Sequence, residues 1–200
     1  DLNAQTSVVM DAANANNRTI QATGGGNYTI VDTVANLSSA NTFAGTNAAD
    51  VIANVQSGDK TISDTTLDSD VTIIDLNAQT TVVMDAANAH NRTIQATGGG
   101  NYTIVDTVAN LASTKSFAGT AAASVTAQVQ AADKTISDTT LHADVTHVDI
   151  NGQTGVVMNK ANLNGRTVQD VAGNGTYTVV DTAANLASIT ITGTAAADVT

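Results

Sequence analysis

An internal ruler constrains this chain more than any local feature. The hexapeptide Asp1-Leu2-Asn3-Ala4-Gln5-Thr6 returns as Asp75-Leu76-Asn77-Ala78-Gln79-Thr80, and in altered form as Asp149-Ile150-Asn151-Gly152-Gln153-Thr154, a step of 74 residues each time. The first two copies agree at roughly three quarters of their positions and the third has drifted further, so the chain reads as a repeat array whose units bury their apolar faces against one another. The period divides it into 1–74, 75–148 and a partial 149–200. The chain starts and stops inside a repeat and has no initiator Met, which leads us to expect an excerpt of a longer protein.

The units have little with which to build an ordinary core. Trp, Pro and Cys are absent and aromatic residues make up 2%, whereas large aromatic side chains usually dominate buried area. Ala, Val, Ile and Leu remain, with much Thr and Asn. In the first copy, strand-like segments fall at Thr6–Met10, Arg18–Ala22, Tyr28–Thr33, Thr42–Gly45, Val51–Val55, Lys60–Asp64 and Val71–Leu76. They recur about every 10 to 11 residues and alternate apolar with polar, the pattern of short half-buried strands. The Ala-rich stretches Asn47–Val55 and Ala121–Ala132 leave a helical turn as the alternative, but Val125-Thr126-Ala127-Gln128-Val129 alternates as a strand does, and strand is the expectation. The expectation is an all-β chain: a parallel β-solenoid, or β-helix, of 74-residue repeats, with tandem β-sandwich domains as the alternative.

Charge narrows the partners. The 18 acidic residues are all Asp, against seven Lys plus Arg, for a formal net charge of −11. Such a surface repels nucleic acid and anionic membranes, because phosphate binding needs clustered cations. It suits cations such as Ca²⁺, which prefers oxygen ligands. Asp without Glu also fits turns better than helices. Without Cys there is neither a disulfide framework nor a thiolate metal site. No apolar run reaches the roughly 18 residues of a membrane span, so no membrane insertion is expected of this segment.

Two motifs carry a resemblance. Tyr28-Thr29-Ile30-Val31-Asp32-Thr33-Val34-Ala35-Asn36-Leu37, with copies at 102–111 and 177–186, resembles the DTAANL strand repeats of giant type I-secreted bacterial proteins. Gly45-Thr46-Asn47-Ala48-Ala49-Asp50-Val51-Ile52 and Gly193-Thr194-Ala195-Ala196-Ala197-Asp198-Val199-Thr200 resemble the lead-in to the calcium-binding repeats of the RTX (repeats-in-toxin) family. The resemblance implies an extracellular or cell-surface setting, as in adhesins and surface-layer proteins. The family's nonapeptide GGxGxDxUx is missing: Gly24-Gly25-Gly26 leads into Asn27-Tyr28.

Little in the sequence reads as catalysis. An active site needs one constellation in one place, yet most polar positions recur a repeat later. The densest acidic cluster is Asp64, Asp68 and Asp70, with Asp59 nearby. Asp64, Asp70, Asp138 and Asp144 are the candidate Ca²⁺ ligands, and strand-end turns account for the same residues. His90, His142 and His147 match no ligand spacing and read as drift between copies. Gly24–Gly26 and Gly98–Gly100 lack the Lys-Ser/Thr and helix of a phosphate loop, so they read as turn glycines. Arg18, Arg92 and Arg166, like Lys60 and Lys134, read as structural groups or donors of intermolecular salt bridges. The expected role is structural: a non-enzymatic segment of an extracellular bacterial surface, filament or lattice protein that associates with copies of itself or adjoining repeats. A glycan-binding adhesin module is the alternative, and a β-helix polysaccharide-active enzyme a more distant one. Clean Thr-x-Thr ranks, which ice binding needs, occur only at Thr176–Thr178 and Thr190–Thr192.

Overall fold

A computed structural model describes residues 1–38, 41, 43–45, 48–112, 115, 117–119, 124–194 and 196–200. In chain order, the first elements are β1 (Val8–Met10), α1 (Ala12–Ala15), β2 (Thr19–Ile20), β3 (Tyr28–Thr33), β4 (Ala44–Gly45) and β5 (Ala48–Asn54). After a 3₁₀ turn at Ile62–Asp64 come β6 (Ile73–Asp75), β7 (Val82–Met84), α2 (Ala86–Ala89), β8 (Thr93–Gln95), β9 (Tyr102–Thr107), β10 (Ala118–Gly119) and β11 (Ser124–Gln128). A second 3₁₀ turn at Ile136–Asp138 precedes β12 (His147–Asp149), β13 (Val156–Met158), α3 (Lys160–Leu163) and β14 (Thr167–Gln169). The last elements are β15 (Tyr177–Val179), α4 (Ala183–Leu186), β16 (Thr192–Gly193) and β17 (Asp198–Val199).

These elements fall into two compact units, one of residues 1–102 with 117–123, the other of 103–116 with 124–200. In the first, β1-β3-β5-β6-β8-β10 form a parallel sheet and β2 pairs with β4. Partners lie 20 (Val8 to Tyr28), 21 (Ile52 to Ile73) or 25 residues apart (Thr93 to Ala118). The ladder passes through the end of the first repeat unbroken: Ile74 faces Ala53 on one side and Ile94 on the other, and all three are fully buried. The second unit repeats this with Ala127, Val148 and Val168 on the equivalent rung. There β9, β11, β12, β14 and β16 follow one another in the sheet, and β13-β15-β17 form another. Fully burying a Val or Ile contributes about 1.5–3 kcal/mol, so ladders of small β-branched residues replace the missing aromatics.

The all-β expectation is overturned, in both its solenoid and its sandwich form. The chain is mixed α/β: its parallel sheets stay open at their edges, and among the described residues four one-turn helices and two 3₁₀ turns lie between the strands. Parallel neighbours require a crossover, and a polar cap winds part of that crossover into a helical turn. Asp11, Asp85, Asn159 and Thr182 each accept the amide three residues on, with Asp85 Oδ1 lying 2.7 Å from Asn88 N. The first three helical turns are followed by a left-handed residue, Asn17 (φ 57°), Asn91 (φ 60°) and Gly165 (φ 71°), types that tolerate this conformation. Lys60–Asp64 also departs from its strand reading, forming the 3₁₀ turn with one isolated parallel bridge from Thr61 to Val83. Thr42, Thr46, Asn47, residues 121–123 and Ala195 lie outside the described residues. Of the described part of the two Ala-rich stretches, Ala48–Asn54 and Ser124–Gln128 form strands, whereas Val55 and 129–132 do not and 131–132 are a turn.

Candidate functional site

One of the most heavily bonded polar side chains among the described residues is an arginine that binds backbone. The turn at Asn91 delivers Arg92 from the end of α2 to the start of β8, where it is only 8% exposed. Its Nε donates to Val71 O (3.0 Å), Nη1 to Ala87 O (3.0 Å) and Asn88 O (2.9 Å), and Nη2 to Leu67 O (3.4 Å) and Asp68 O (2.8 Å). Guanidinium is suited to this, having five donors in a rigid fork and no acceptor. Burial draws its pKa down, opposed by the charges of Asp68 and Asp85. Arg166 reproduces the pattern through Val145 O (3.0 Å), Ala161 O (2.7 Å), Leu141 O (3.4 Å) and His142 O (3.0 Å), and burial lowers its pKa too. Neither is a salt-bridge donor among the described residues. Both tie a short helix to the loop of the preceding crossover.

A buried asparagine works beside each. Asn88 Oδ1 accepts from Leu67 N (3.1 Å), while its Nδ2 donates to Ile62 O (3.1 Å) and Thr65 O (2.8 Å). One amide thereby satisfies the 3₁₀ turn, which has no side-chain cap of its own. Asn162 Nδ2 donates in the same way to Ile136 O (2.6 Å) and also to Asn159 Oδ1 (3.0 Å). Sequence reasoning did not single out either asparagine. Their recurrence one repeat apart was the available signal.

The aspartates serve turns. Asp75 accepts from Asn77 N (2.9 Å), Gln95 Nε2 (3.0 Å) and both the amide and the hydroxyl of Thr97. Burial alone would raise its pKa, but these donors outweigh burial and hold the carboxyl below its ordinary value. Asp149 repeats the role through Asn151 N and Val171 N. Asp32 opposes burial likewise, through the Asn36 amide, Thr33 N and Ala12 N, each 2.8 Å away. Asp181 takes the same set from Asn185, Thr182 N and Lys160 N, with its pKa lowered. The Asp and Asn of the DTAANL-like motif therefore act on each other and on the start of the preceding helix.

Asp64, Asp70, Asp138 and Asp144, the candidate Ca²⁺ ligands, are all exposed. No group of three or more His or Asp side chains converges among the described residues. Asp68 is turned to its own loop, where Oδ1 accepts from Asp70 N (2.9 Å). His142 stands there in the second copy, its Nδ1 3.2 Å from Asp144 N and 3.4 Å from Asp144 Oδ2. The Asp-to-His drift therefore preserves an acceptor for the loop. The other two histidines stay local: His90 Nε2 lies 3.2 Å from Asn91 Nδ2, and His147 Nδ1 2.9 Å from Thr146 Oγ1.

The glycine triplets are turns. Gly24 N and Gly26 N both donate to Asn3 O, and Gly98 N and Gly100 N to Asn77 O, so these amides are turned inward rather than toward an anion. Lys60 and Lys134 contribute their carbonyls, accepting from Val83 N and Val157 N at 2.7 Å. Among the described residues no helix is long and apolar enough to cross a membrane. No protein-family model, curated protein or solved structure matches the chain.

Proposed function

We propose that this chain is a structural segment of an extracellular bacterial surface, filament or lattice protein, of the kind found in giant type I-secreted proteins of the RTX type, and that it is not an enzyme. One observation carries the reading. Polar side chains that recur between copies, the buried Arg92 with Asn88 and the half-buried Arg166 with the buried Asn162, are engaged with backbone carbonyls and amides of the neighbouring crossover. Chemistry would need such groups turned toward a ligand. Here they join crossover to crossover by closely similar bonds in the second and third copies, which suits an element whose job is a regular surface. The acidic outer residues keep such a surface hydrated and soluble.

Surface labelling tests this directly. An antibody raised against the purified chain is expected to stain intact producing cells before permeabilisation and to follow the surface or filament fraction. Staining that appears only after permeabilisation would overturn the proposal.

A further inference from the structure

The first copy lacks, on one face, the cover that both later copies have. Val9 is 65% exposed, whereas its equivalents Val83 and Val157 are half-buried and donate their amides to Lys60 O and Lys134 O. Val8 and Met10 are half-buried, while Val82, Met84, Val156 and Met158 are fully buried. Asn14 is exposed and its side chain has no hydrogen bond among the described residues, whereas Asn88 and Asn162 are buried and bonded. Arg18 is exposed and reaches only Ala13 O and Asn14 O, both through Nη1. Its Nε and Nη2 have no partner among the described residues, although those atoms of Arg92 bind Val71, Leu67 and Asp68. Val9, Met10, Asn14 and Arg18 line one concave surface.

What covers this face in the later copies is known residue by residue. Every missing partner belongs to one stretch, Lys60–Val71: Lys60 O for the strand, Ile62 O, Thr65 O and Leu67 N for the asparagine, and Leu67 O, Asp68 O and Val71 O for the arginine. The third copy receives equivalent cover from the 134–145 stretch. We infer that the Val9–Asn14–Arg18 face is a docking site for a strand-and-turn segment of the Lys60–Val71 type, supplied by a further stretch of the same repeat. An edge strand with free amides beside a cation and an amide lacking acceptors is a template for such a segment. Within a folded copy both such stretches are already engaged, so the donor is one whose own acceptor face is absent.

The inference deepens the structural role proposed above but is separable from it. Failed surface labelling would leave the docking intact, and failed docking would leave the location untouched. The test has two arms. A synthetic peptide of sequence 60–71 is titrated into the whole chain and followed by amide NMR. Shifts are expected at Val9, Asn14 and Arg18, with Arg18→Ala and Asn14→Ala each weakening binding about tenfold and a scrambled peptide without effect. In the second arm a copy of Ala53–Ile74 is joined in front of Asp1, which puts the segment in the register it has before Asp75. There the Val9 amide is expected to become slow to exchange, and Arg18→Ala to lower the unfolding temperature as far as Arg92→Ala does. Either positive arm supports the site. No shift at this face with peptide, together with an Arg18→Ala as harmless in the extended chain as in the parent, would overturn it.

Discussion

Replacing Arg92 by alanine is expected to destabilise the chain by about 3 kcal/mol or more, since each buried carbonyl left without a donor costs about 1–3 kcal/mol. Five carbonyls lose the Arg92 donors at once, and among the described residues only Asp68 O keeps another, the Val71 amide at 3.2 Å, around a side chain that is almost wholly buried. Lysine restores little, because an ammonium on a flexible stem does not reproduce a planar fork. Arg18→Ala is the internal control, expected to fall within about 0.5 kcal/mol of the parent, as exposed substitutions usually do. Urea unfolding followed by circular dichroism distinguishes the two. Equal small effects at Arg92 and Arg18 would mean that the carbonyl contacts do not hold the crossover.

The second large effect is expected at the glycine turn. A Cβ at Gly98 would lie 2.7 Å from Ala78 N. One at Gly100 would meet Gln79 O closer still, with Asn77 O at 3.0 Å. Both obstacles are backbone and cannot rotate away. Gly98→Ala and Gly100→Ala are each expected to cost about 1–3 kcal/mol, the usual range for overpacking. At Gly58 a Cβ would meet nothing within 4 Å, and the second copy already carries Ala132 there. Gly58→Ala is expected to be neutral or to stabilise by about 0.4–1 kcal/mol through the unfolded chain. The third copy supports the steric account. There Ala172 replaces Gly98, and Gly152, at φ 69°, replaces Ala78 opposite it. The methyl has changed sides of the contact. Thermal melts that rank Gly58→Ala with Gly100→Ala would contradict it.

Much of the strand content was legible because β-branched residues alternate plainly. Tyr28–Thr33 is a strand over the residues expected, and Val71–Leu76 and Thr6–Met10 contain shorter ones. The helical turns were not legible from periodicity, since four residues such as Ala86–Ala89 are too few to show a 3.6-residue repeat. The Asp before each Ala-Ala-Asn-Ala was the available sign, being a strong N-cap residue. Lys60–Asp64 looked like a strand because Ile62 sits between Thr61 and Ser63. Its turn is imposed from a distance by Asn88, which no local pattern reveals. The candidate site divides in the same way. Recurrence pointed to Arg92 and Arg166, but their partners are carbonyls, and carbonyls leave no trace in a sequence. The acidic cluster was visible as composition, yet its members face outward or into their own loop.

Site-resolved amide hydrogen exchange on the intact chain tests most directly whether each copy is held by the crossover segment before it. Val9, Val83 and Val157 occupy one position in three copies, and only the latter two donate to a lysine carbonyl of that segment. Slow exchange is expected at Val83 and Val157 and fast exchange at Val9, with the Leu67 amide, bound by Asn88 Oδ1, also slow. Equal exchange at all three valines, with an unprotected Leu67, would contradict the claim that these recurrent polar residues exist to join one segment to the next.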